Sequence, residues 1–179
     1  MFRPAAGATL LAFALGVSAC GGGPSSSTGA PTASLGAGGH SLTIAQGGRT
    51  HTFTAFTHVS CTTNEAGDQV LQATAGADLN TGVLSLEARP DLVASHGPTF
   101  SLPEMGDNTD DNAFTFFAAM RNRRGHNEAS SQEETASGTV TITNLRCGSD
   151  PTVTISASGV LGSELSNGTI SAHGSLAYP

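Results

Sequence analysis

Three cysteines, six histidines and one Asp/Asn-rich run are the residues of this 179-residue chain whose chemistry reaches beyond packing. The histidines are His40, His51, His58, His96, His126 and His173. His51 and His58 have opposite parity on what reads as one strand, so they point to opposite faces and share a metal only if a bulge intervenes. They read as scattered surface imidazoles, and no metal site is expected. Asp107, Asp110 and Asp111, within Gly106-Asp107-Asn108-Thr109-Asp110-Asp111-Asn112, concentrate carboxylates and amides as calcium loops do. The D-x-[DN]-x-[DN]-G order is absent and no bidentate Glu follows, so the run reads as a surface turn whose side chains bond their own backbone. No G-x-S-x-G elbow, HExxH, P-loop or paired-carboxylate frame is present, and neither catalytic residues nor a cofactor are assigned. Asn167-Gly168-Thr169 matches a glycosylation sequon but coincides with a turn signal.

The elements that must position these residues are strands. From His40 onward the dominant pattern is short runs of alternating polarity rich in Thr, Val, Ile and Phe, separated by Gly/Asn/Asp turns. In Thr50–Cys61, Phe53, Ala55, Val59 and Cys61 share one parity while Thr50, Thr52, Thr54, His58 and Ser60 take the other. That is one half-buried strand with a Thr-rich outer face, broken only by Phe56. Similar stripes occur at Leu71/Ala73/Ala75, Leu84/Leu86/Ala88, Val140/Ile142, Val153/Ile155/Ala157 and Ile170/Ala172/Leu176/Tyr178. Turns are expected at Asn64–Asp68, at Asn80-Thr81-Gly82 and at Ser166-Asn167-Gly168, and Ser137–Asn144 is expected to pair with Thr152–Val160. The fold class is therefore all-β: a mainly antiparallel β-sandwich or small barrel of six to nine strands. No helix of useful length is expected in the domain, and the wholly polar Arg121–Ser137 segment reads as a long loop.

Composition narrows the partners. All seven basic residues are Arg, against fourteen acidic ones, giving a formal charge of −7. Nucleic acid is excluded as a partner, because phosphate binding needs clustered basic side chains.

The N-terminus carries an address. Arg3 opens a short basic region, Ala8 to Val17 is apolar, and small residues close the segment. The apolar run falls well short of the ~20 residues a spanning helix needs, so residues 1–19 read as a cleaved export signal. Val17-Ser18-Ala19-Cys20 resembles the lipobox of bacterial lipoproteins. The resemblance implies diacylglycerol on the Cys20 thiol, cleavage before Cys20, and a membrane partner held through that anchor. Two or three acyl chains at ~0.8 kcal/mol per buried methylene anchor firmly. Residues 20–39, Gly/Ser/Thr/Ala-rich and uncharged, cannot bury enough surface to offset their ordering entropy. They read as a tether with a reach of roughly 20–25 Å, and the folded domain takes residues 40–179.

With Cys20 lipidated, Cys61 and Cys147 remain, and two thiols in an exported domain pair by default. Closing about 86 residues stabilises the fold by roughly 4–5 kcal/mol in the chain-entropy model. A redox or metal pair would call for a C-x-x-C spacing, which is absent.

Leu42-Thr43-Ile44, Gly47-Gly48, Val59-Ser60-Cys61-Thr62-Thr63, Ala66-Gly67 and Val70–Gly76 resemble the mycobacterial 19-kilodalton lipoprotein antigen family. So does the order of lipobox, tether and small β domain with two further cysteines. The resemblance implies a surface-exposed, non-catalytic envelope lipoprotein that acts as an antigen, anchored to the cell or outer membrane and facing periplasm or exterior. Its partner would be an envelope protein. Two alternatives stand beside that expectation. One is a carrier in which Phe53, Phe56, Phe100, Phe114, Phe116 and Phe117 line an apolar pocket for a lipid or small hydrophobic ligand; the same rings suffice to fill a core of this size. The other is a secreted hydrolase without a recognisable motif.

Overall fold

The computed structural model describes residues 40–105, 112–122, 125–163 and 168–178. Cys20, the tether, the Asp107–Asp111 run and Asn167 lie outside them. Among the described residues the chain forms β1 (Leu42–Gln46), β2 (Arg49–Phe53), β3 (His58–Thr63), β4 (Gln69–Asp78), β5 (Gly82–Ala88), α1 (Pro90–His96), β6 (Thr99–Leu102), β7 (Phe114–Asn122), β8 (Gly125–Ser130), β9 (Ser137–Arg146), β10 (Thr152–Leu161) and β11 (Ile170–Tyr178). The larger sheet has the order β2-β1-β11-β10-β9-β6 and the smaller the order β3-β4-β5-β7-β8. Every pairing is antiparallel. The fold is a sandwich-like pair of antiparallel sheets with eleven strands among the described residues, more than the six to nine expected.

Alternation dictates this arrangement. The stripes at Leu71/Ala73/Ala75, Leu84/Leu86/Ala88 and Val153/Ile155/Ala157 are all buried, and the residues between them are more exposed. They meet Leu42, Ile44, Phe116, Met120, Ile142, Ile170 and Leu176 in one core. Each such large side chain stabilises the fold by about 1.5–3 kcal/mol when fully buried. Turn chemistry sets the register. Gly47 and Gly48, with φ of 56° and 79°, supply the two positive angles that a two-residue hairpin turn between β1 and β2 requires. Between β3 and β4 the Asn64 side chain accepts the Asp68 N–H at 2.8 Å. Between β4 and β5 Asp78 Oδ1 accepts the N–H groups of Asn80 and Thr81 at 2.7 and 3.0 Å. These two backbone donors hold the Asp78 carboxyl below its ordinary range. β9 and β10 pair as expected, and β10 pairs with β11 through to Leu161↔Ile170.

Three expectations are corrected. Thr50–Cys61 is not one strand: β2 belongs to the larger sheet and β3 to the smaller. Phe56 is the reason, since its buried ring enters the core while its N–H donates to Ala177 O at 3.3 Å as the chain crosses between sheets. Consequently His51 and His58 stand on different sheets.

The Arg121–Ser137 segment is not a long loop, because it holds the end of β7 and all of β8, paired from Asn122↔Gly125 to Phe117↔Ser130. The inward positions of β8 are Asn127 and Ala129, both buried, and they leave little apolar signal in the sequence.

A helix does occur. Seven residues are too few for a 3.6-residue period to show, but Pro90 at its start, Asp91 in its first turn and Gly97 after its end are ordinary boundary signals.

Candidate functional site

Antiparallel pairing brings the β3–β4 turn, the end of β5 and the start of β7 to the same end of the smaller sheet. Leu86 and Ala88 point into the core, so strand parity turns Glu87 outward, between its cross-strand neighbours Gln72 and Thr115. Gln72 Nε2 donates to Glu87 Oε2 at 3.4 Å, and Gln132 Nε2 donates to Thr115 Oγ1 at 2.8 Å. One residue beyond β5, the Arg89 N–H donates to Ala113 O at 2.9 Å, and the Ala113 N–H donates to Glu104 Oε1 at 3.0 Å. Both sides of this end are thereby tied to the loop that precedes β7.

The Arg89 side chain, only 17% exposed, organises the rest. Its Nη2 lies 2.9 Å from Asp68 Oδ2 and 2.9 Å from Asp91 Oδ2. Asn64 Nδ2 donates to the same Asp68 oxygen at 3.3 Å, so Asn64, Asp68, Arg89 and Asp91 form one chain of polar contacts. Burial works to raise the Asp91 carboxyl, but the hydrogen bond and charge of Arg89 outweigh it and hold the group below its ordinary range. In front of this chain opens a cleft of about 170 Å3, with Asn64, Glu87, Arg89, Asn112 and Thr115 as its polar lining and Val70, Ala113 and Phe114 among its apolar lining. Carboxylate, amide, guanidinium and hydroxyl converge there on one small volume. The chemistry these groups can do is hydrogen bonding.

Beside it, burial pushes the Glu104 carboxyl above its ordinary range, while the Ala113 N–H and the charge of His96 pull the other way. Oε2 of Glu104 is buried with no hydrogen-bond partner among the described residues. A second cleft, of about 160 Å3, lies where β8 meets the end of β10, with Phe117, Glu128, Glu133 and Gly162 among its lining. Reciprocal bonds of 2.8 and 3.0 Å between Ser130 and Gly162 close that junction.

The outer face of the larger sheet is of a different kind. Register aligns Ser101, Thr139, Ser158, His173, Thr43 and Thr52 in one row across all six strands, and Thr99, Thr141, Ser156 and Ser175 in the next. Thr43 and Thr52 join their hydroxyls at 2.8 Å, as do Thr99 and Thr141 at 3.1 Å. Neither row contains a carboxylate or a guanidinium. Apart from His173 they are hydroxyls, carried by serines and by strand-favouring threonines.

Of the residues singled out from sequence, Cys61 and Cys147 form a disulfide with 5.6 Å between Cα atoms. It ties edge strand β3 of the smaller sheet to the segment following β9 of the larger. Among the described residues, no group of three or more His, Cys, Asp or Glu side chains could hold a metal. Phe53, Phe56, Phe114 and Phe116 are core residues, with the Phe100 ring 5.0 Å from that of Phe114. Phe117 points outward to the second cleft. The constellation around Arg89 was not singled out from sequence. Its members come from three separated stretches, and only the closeness of Arg89 to Asp91 in the chain hinted at an ion pair. Compared with protein-family models, with curated proteins and with solved structures, the chain matches none.

Proposed function

We propose that this chain is an exported lipoprotein, held to an envelope membrane by acyl groups on Cys20, whose β-sandwich is a non-catalytic binding or structural domain at the end of a tether. The observation that carries this reading is the Val17–Cys20 box followed directly by a Gly/Ser-rich tether. The Cys61–Cys147 pairing supports it, since disulfides persist in the oxidising compartments outside the cytosol. No helix among the described residues is long and apolar enough to cross a membrane. In this reading attachment falls to the lipid. The resemblance to the 19-kilodalton antigen family points the same way. A carrier would hold its hydrophobic ligand among the phenyl rings, but Phe53, Phe56, Phe114 and Phe116 are packed in the core instead.

Metabolic labelling with a fatty-acid probe, followed by intact mass before and after reduction, tests the reading. The expected product begins at Cys20, carries acyl mass and gains two hydrogens on reduction. A chain that takes up no probe, or a Cys20→Ala form that stays on the membrane, would overturn it.

A further inference from the structure

We propose that the cleft in front of Arg89 is a binding site for a single neutral saccharide unit. The proposal gives the binding domain a ligand class and does not depend on whether Cys20 carries lipid. Size comes first: about 170 Å3 is well below the ~300–1,000 Å3 of pockets for drug-sized ligands, and suits one ring rather than a long chain.

Charge comes second. The guanidinium of Arg89 already faces Asp68 and Asp91, outside the cleft lining, and Glu87 is the carboxylate within it. An anion would meet the Glu87 carboxylate and a guanidinium whose charge two other carboxylates already balance, and is disfavoured. A neutral polyol is not. Each of its hydroxyls both donates and accepts, and the cleft offers both capacities: carboxylate oxygens on Glu87, amides on Asn64 and Asn112, and a hydroxyl on Thr115. Planar carboxylate and amide groups present paired atoms with fixed geometry, which suits adjacent hydroxyls on a ring. Val70 and Phe114 close the floor of the cleft but are almost wholly buried, so recognition falls to the polar rim.

Preorganisation comes third. Asp68 holds Asn64 and Arg89 at once, and Ala113 is clamped from one side by the Arg89 N–H and from the other by Glu104. Groups fixed before the ligand arrives lose little conformational entropy when it binds. Glu87, the exposed carboxylate whose role is to meet the ligand, stands outside that clamp.

The test is heteronuclear NMR of the full chain in a zwitterionic detergent, titrated with the methyl glycosides of glucose, galactose, mannose and arabinose and with N-acetylglucosamine. At least one of these is expected to shift the amides of Asn64, Arg89 and Ala113 to Thr115 saturably. Glu87→Ala, on the solvent side of β5, should keep the melting temperature and weaken that binding roughly tenfold, as the loss of one charge-assisted hydrogen bond implies. Glu128→Ala in the second cleft should leave it unchanged. Failure of all five probes to move these amides would overturn the proposal, as would binding indifferent to Glu87→Ala. Tighter binding of glucuronate or spermidine would overturn the neutral class.

Discussion

Nη2 of Arg89 sits 2.9 Å from one carboxylate oxygen of Asp68 and 2.9 Å from one of Asp91, so a single nitrogen of a largely buried side chain joins the β3–β4 turn to the first turn of α1. The two carboxylates are more exposed than the arginine, at 35% and 52%, so solvent screens part of the attraction. Arg89→Met removes the cation but keeps most of the stem's packing. The expected cost is about 1–3 kcal/mol, read as a lower urea midpoint at unchanged slope, and Arg89→Lys should recover only part because it has no planar fork. A change under a few tenths of a kcal/mol would mean that the contacts are ornamental.

The disulfide should carry more. Cys61→Ala, Cys147→Ala and the double variant are each expected to lose about 4–5 kcal/mol relative to the oxidised protein, because any of them reopens the same loop of 86 residues. The double variant should lose no more than either single one. Additive losses in denaturant melts would place the stabilisation in the packing of each sulfur rather than in the cross-link.

How much of this was legible beforehand depended on whether a stretch announced itself through apolar side chains. The stripes at Leu84/Leu86/Ala88 and Val153/Ile155/Ala157 alternate cleanly, and they are strands with those residues buried. The same rule misled at β8, because an edge strand that buries Asn127 and Ala129 looks polar throughout. The Cys61–Cys147 pair was legible through the expectation that Cys20 carries lipid, which leaves the other two thiols to each other. The cleft was not, since Asn64, Glu87 and Thr115 meet only through register, and period and composition do not encode which strand lies beside which.

Glu104 sets a pH dependence. Its folded pKa is raised from 4.5 by burial, so the folded state holds the proton more tightly than the unfolded chain does. The stability linked to that proton is therefore fully present below the unfolded pKa and is lost as pH rises through the folded value. Glu104→Gln keeps an acceptor for the Ala113 N–H and does not ionise. The variant should lack this component, so its stability relative to the parent should improve as pH rises from below 4.5 toward neutrality. Asp91 has the opposite sign, since Arg89 lowers it: its contribution is present above 3.8 and fades as pH falls through its folded value. A parent and a Glu104→Gln variant whose melting temperatures run parallel across that range would remove Glu104 from the account.

Phe56 is the residue that divides what reads as one strand into two sheets. Its ring is 3% exposed within the common core, and its neighbour Thr57 donates its N–H to Thr74 O at 2.8 Å, which starts the chain along the smaller sheet. The crossing is thus held by one buried aromatic and a few backbone bonds, with β2 on one side and β3 on the other. Phe56→Ala removes the ring and leaves a cavity, at an expected cost of about 3–5 kcal/mol. Phe56→Leu should cost less, because it fills more of the same space. Hydrogen exchange distinguishes the crossing from ordinary core packing. Loss of protection should concentrate at the amides of Phe56 and Thr57 and along β2 and β3. Uniform loss over both sheets would show that Phe56 fills volume without directing the chain from one sheet to the other.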